Sequence, residues 1–114
     1  MNILKILQVA AVGLTIVTGL ISLFAPRSVF GFTGLEAPGP RGISEIRSIL
    51  GGVFIGLGIA VFILGTQQTY QMLGITYLAI AAVRLFSIFV DKASEQSNWI
   101  SLAVEIVFGI LLIL

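Results

Sequence analysis

The chain has no cysteine and no histidine, and charged residues occupy only 10% of its 114 positions. Each shortage removes a class of chemistry. Without thiols there is no disulfide exchange or thiolate catalysis, and a quinone-coupled disulfide oxidoreductase, which must carry paired thiols, is excluded. Without imidazole, the usual ligand of zinc is missing, and a haem or chlorophyll would need a less usual one. The net charge of +1 comes with no basic run and no glycine-rich phosphate loop. No nucleic-acid partner, metal or cofactor is therefore expected.

What the chain does have is apolar length. Hydrophobic residues make up 58% of it and the mean hydropathy is +1.15, a composition that belongs to integral membrane proteins. A helix needs about 20 apolar residues to cross the hydrocarbon core. Four stretches suffice, so the expected architecture is an all-α, integral membrane four-helix bundle. It forms a single transmembrane domain over residues 1–114, with helices near 3–24, 44–65, 69–90 and 98–114. The first stretch runs past the roughly 7–15 residues of a signal core before Ala25 and Pro26 stop it, so it is read as a mature helix.

The long first loop, residues 25–43, carries Pro26, Gly31, Gly34, Pro38, Gly39, Pro40 and Gly42, which argue against regular helix. Val29, Phe30, Phe32 and Leu35 suit its first half to the membrane surface or to folding back on the bundle, although a simple tether is the plainer expectation. With four spans, the first and third loops share a side, and Arg27, Arg41 and Lys92 outnumber Lys5 opposite. The positive-inside rule then favours cytoplasmic loops one and three. Trp99 and Tyr70, at helix starts, are expected to be interfacial anchors.

Charges inside or at the ends of apolar spans are costly and need a reason. Here they are Glu45, Arg47, Arg84, Asp91 and Glu105. At a rise of 1.5 Å per residue, Arg84 lies roughly 9 Å from the end of the third helix and Glu105 about 10 Å into the fourth. Arg47 lies about one turn into the second. Tyr77, Ala81, Arg84, Ile88 and Asp91 repeat at spacings of three and four and share a face, as do Ser101, Glu105 and Gly109. Glu45 and Arg47 are two apart and cannot pair on their own helix. The simplest scheme has Glu45 and Glu105 each facing an arginine of another helix, a cluster of two positive and two negative charges beside Tyr77, Ser48, Ser87 and Ser101. Small residues predict where helices meet: Gly52 with Gly56 on one face of the second helix, Gly51 with Gly58 on the adjoining one, Ala11, Thr15 and Gly19 on the first, and Gly74 on the third.

The run Ser44-Glu45-Ile46-Arg47-Ser48-Ile49-Leu50-Gly51-Gly52, followed by Gly56 and Gly58, resembles the second helix of a small bacterial membrane-protein family, domain of unknown function four-three-four-five. Arg84-Leu85-Phe86-Ser87 with Asp91, and Glu105 in the last helix, look like its other polar marks, so the resemblance covers nearly the whole chain. It implies a four-helix bundle in a bacterial inner (plasma) membrane and lends no activity.

Three roles compete for the charges. The first is structural: a Glu/Arg lock fixing helices two to four of a non-enzymatic accessory or scaffold subunit, partnered by the lipid bilayer and by a larger membrane complex or a second copy. The second is a site at the arginines for a small amphiphile such as a lipid, a quinone or a carboxylate, since the guanidinium fork bonds two oxygens at once. The third is proton or ion translocation through Glu45 and Glu105, which lacks ionisable residues in the half of the bundle nearer the termini. Paired carboxylates could also act as acid and base, but an available arginine for each favours plain ionised pairs. The structural role is the leading expectation.

Overall fold

The computed structural model describes residues 1–114 and is all helical. Helix α1, Ile3–Phe24, coincides with the first apolar stretch and stops where Pro26 disfavours helical geometry for Ala25. Prolines start helices here as well as stopping them. Pro26 opens a 3-10 turn, Pro26–Val29, followed by a single turn α2, Phe30–Thr33, closed by Gly34 at φ 75° with its N–H on the Phe30 carbonyl at 2.8 Å.

Helix α3 spans Pro40–Leu64, four residues earlier than its apolar pattern suggests. Pro40 occupies the first helical turn, where its missing N–H costs nothing. The middle of α3, Ile46–Val53, is π-helical, a wide turn in which residues five apart align. Ile46 and Gly51 are accordingly the two buried residues of that stretch.

Helix α4, Gln67–Val90, begins after Gly65 in the left-handed region, with the Thr66 side chain accepting the Thr69 N–H at 3.3 Å. A short turn containing Lys92 at φ 55° leads into α5, Gln96–Ile113. Five helices therefore stand where four were expected, the extra one being the turn α2 inside the first loop. Four of the five are long and apolar enough to cross a membrane.

The chain divides into two compact units. One comprises residues 1–11 and 65–114, where α4 and α5 form an antiparallel hairpin. Gly74 and Gly109 bring the two backbones together: a β-carbon on Gly74 would lie 2.8 Å from the Gly109 carbonyl oxygen. Ala81, Ile88 and Leu102 continue that seam toward the connecting turn.

The other unit is residues 12–64. There the later part of α1 packs on α3 through Gly19, Gly51 and Gly58. A β-carbon on Gly19 would sit 2.7 Å from the Gly51 carbonyl oxygen, and one on Gly58 2.3 Å from Ile16 Cγ1. Gly52 and Gly56 behave oppositely, with nothing within 4 Å of an added β-carbon. The two glycine faces of α3 are therefore unequal: one is filled from within the chain and one is open.

Candidate functional site

Arg84 and Glu105 form the ion pair between long helices. Arg84 Nε donates to Glu105 Oε1 and Nη2 to Oε2, each at 2.7 Å, a bidentate arrangement of planar fork on carboxylate. Nη1 donates to Asn98 Oδ1 at 2.7 Å, and Asn98 Nδ2 donates to the Ala93 carbonyl at 2.8 Å. The network thus ties α4, α5 and the turn between them. The Glu105 side chain is 10% exposed and that of Arg84 31%. Helical period produces this geometry: Tyr77, Ala81 and Ile88 are buried on the Arg84 stripe, and Glu105 shares its buried stripe with Leu102, Gly109 and Leu112.

The remaining expected members are placed otherwise. Glu45 is not held by an arginine of another helix; its partner is Arg41, four residues earlier on α3. The physical reason is the early start at Pro40, which converts Arg41 from a loop residue into an i−4 neighbour. Both side chains are exposed, 80% for Arg41 and 54% for Glu45. Arg47 makes no ion pair, and its Nη1 donates to the Leu23 carbonyl in the last turn of α1. Such terminal carbonyls lack helical partners, and a cation there also complements the helix dipole. The expected cluster of two positive and two negative charges is therefore replaced by one interhelical pair, one pair within a helix and one arginine capping a helix end.

Asp91 is exposed at the end of α4, where it accepts the Ser87 hydroxyl at 2.6 Å. Tyr77 is buried, its ring edge-to-face with Phe108 at 5.5 Å. Ser101 is half-buried and Ser48 exposed. Of the aromatic pair expected at interfaces, Trp99 is 42% exposed and packs edge-on to Phe89, whereas Tyr70 is 5% exposed beneath Lys5, whose Nζ lies 3.7 Å from the ring centroid. A cation–π contact thus replaces an open anchor at Tyr70.

Three polar residues escaped the sequence reading: Gln8, Gln71 and Asn98. Gln8 Nε2 donates to the Leu111 carbonyl at 2.9 Å and Gln71 Nε2 to that of Ile113 at 3.3 Å, so two amides satisfy carbonyls in the last turn of α5. The available signal was the one used for the charges, a polar side chain within an apolar stretch. No buried side-chain nitrogen or oxygen is left without a partner.

A family model described as "Domain of unknown function (DUF4345)" matches residues 3–114. No curated protein and no solved structure matches the chain.

Proposed function

The chain belongs to the family of domains of unknown function DUF4345, and we infer that it is a small, non-enzymatic integral membrane protein serving as an accessory or scaffold subunit. The observation that carries this reading is the open glycine face of α3. Gly52 and Gly56 are exposed with space above both, in a helix whose other glycines are already packed. Exposed Ser48 and half-buried Ala60 extend the stripe in both directions. Among lipids, where apolar area gives little drive for association, such small-residue faces let a second helix approach closely enough for dispersion to hold it.

The polar network supports the same reading. Glu105 engages Arg84 with both carboxylate oxygens, so that arginine is not left poised to receive an anionic ligand, and Arg47 caps a helix end. In this role the Arg84–Glu105–Asn98 network acts as a lock that fixes the α4–α5 hairpin.

The test is native mass spectrometry of the protein gently extracted from its own membrane, wild type beside Gly56→Leu. The expected result is a stoichiometric assembly in the wild type that is lost in the variant while helix content and melting are unchanged. A lone chain in both samples would sink the accessory role.

A further inference from the structure

A groove of about 360 Å³ lies where the first loop meets the start of α3, within the ~300–1,000 Å³ range of small-molecule sites. Gly42 lets it form. A β-carbon there would stand 2.9 Å from the Ala37 Cβ, so the strand of loop before Pro40 lies directly on the first turn of the helix. Leu35, Ile46, Ile49 and Leu50 supply the apolar walls and Glu36 and Glu45 the polar end. Three of the four apolar residues belong to the π-helical stretch, whose wide turn re-aims side chains and recurs at functional sites.

Charge and length define the occupant. Glu36 takes part in neither ion pair of the chain, while Glu45 is held by Arg41. Glu36 is therefore a free carboxylate on the groove lining, and Arg41, itself outside the lining, is bonded through one nitrogen to the lining Glu45 and keeps donors to spare. That is the complement of a zwitterion: an ammonium for Glu36 and a phosphate for Arg41. From Gly42 to Leu50 the groove follows eight residues of α3, about 12 Å at helical rise, which fits inside one half of the roughly 30 Å hydrocarbon core. A head near the helix start and a tail held within one leaflet is the outline of a single membrane lipid.

We propose that this groove binds one zwitterionic aminophospholipid, with its ammonium on Glu36, its phosphate on Arg41 and one acyl chain along Leu35, Ile46, Ile49 and Leu50. The site differs from the buried arginine network and shares with the accessory role only the premise of membrane insertion.

The experiment reconstitutes the protein in bilayers of equal phosphatidylethanolamine and phosphatidylglycerol with identical chains, then counts retained lipids by native mass spectrometry. Both lipids carry the phosphate; only one carries the ammonium. Wild type is expected to retain one phosphatidylethanolamine with about fivefold preference, the scale of one partly exposed charge pair. Glu36→Gln brings the ratio close to one, and Ile49→Trp, which fills the groove from an exposed position, abolishes retention of both. Equal retention by the wild type, or a preference that survives Glu36→Gln, overturns the proposal. So does a dimer that Ile49→Trp dissociates, which would put a second copy in the groove. Insertion is read separately by resistance to alkaline extraction. An extracted protein defeats the shared premise, whereas an inserted protein without lipid preference defeats this proposal alone.

Discussion

Removing one member of the Arg84–Glu105 pair should cost far more than removing both. In Glu105→Leu the guanidinium loses two charge-assisted bonds of 2.7 Å and keeps only Asn98. In Arg84→Leu a carboxylate whose side chain is 10% exposed is left without its counter-ion. Breaking a buried pair costs about 3–5 kcal/mol. The 31% exposure of the Arg84 side chain allows that end some relief, so about 3 kcal/mol is expected, roughly a hundredfold in the unfolding equilibrium constant. Replacing both residues with leucine removes the unpaired charge, because a well-packed apolar pair is often neutral against an ionic one. The double variant should therefore lose less than either single, well short of the additive sum of about 6 kcal/mol. The assay is reversible unfolding in mixed detergent micelles, following helix content as the denaturing detergent fraction rises, for wild type, both singles and the double. Single variants within about 0.5 kcal/mol of wild type, or losses that simply add, would refute the lock.

Further expectations concern the other contacts. Gly51→Ala places a methyl group 3.2 Å from the Gly19 carbonyl oxygen and from the Leu23 nitrogen, and should lower stability by about 1–3 kcal/mol through overpacking. Gly52→Ala meets open space and should be neutral or stabilising by up to about 1 kcal/mol; equal effects in the same unfolding assay would contradict the unequal faces of α3. Gln8→Leu and Gln71→Leu each uncover a carbonyl near the end of α5 and should cost about 1 kcal/mol apiece. Raised amide exchange confined to the last turn would accompany them, and unchanged exchange there would count against the capping role. Lys5→Met removes the cation from the Tyr70 face and should cost about 0.5–1 kcal/mol, a loss that Lys5→Arg ought largely to avoid. If both substitutions cost the same, the contact is incidental.

The charged positions show how far residue spacing reaches. The stripe Tyr77, Ala81, Arg84, Ile88 is recoverable from the helical period alone, and so is the stripe Ser101, Glu105, Gly109. That Glu105 would face an arginine of another helix was expected on grounds of cost, since a carboxylate among apolar residues needs a counter-charge; that the arginine is Arg84 came from the fold. Glu45 was misassigned because its partner depends on where α3 begins. Pro40 reads as a breaker in sequence and acts as a helix opener in the fold, so a boundary shift of four residues changed the identity of an ion pair. Arg47 was misassigned for a different reason. Its acceptor is a main-chain carbonyl of α1, and every residue carries the same carbonyl, so no side-chain pattern marks it.

The π-helical turn at Ile46–Val53 has the same status. It shifts which residues share a face, yet nothing in Ile-Arg-Ser-Ile-Leu-Gly-Gly-Val distinguishes it from an ordinary helix by period. Glycine spacing revealed two faces on α3 without saying which was occupied, because an open glycine and a packed one are chemically identical.

Composition and period by themselves determined the helical class, the number of long apolar helices, the course of α1 residue for residue, and the stripes that carry Arg84 and Glu105. Those properties are local: they depend on the transfer free energy of side chains and on 3.6 residues per turn. The tertiary structure decided which acceptor each arginine takes, which glycine face is closed, and that a loop and a widened turn enclose a groove. Such choices depend on distances between segments remote in sequence, set by backbone approach and hydrogen-bond geometry at a few ångströms, a scale to which the order of residues gives no direct access.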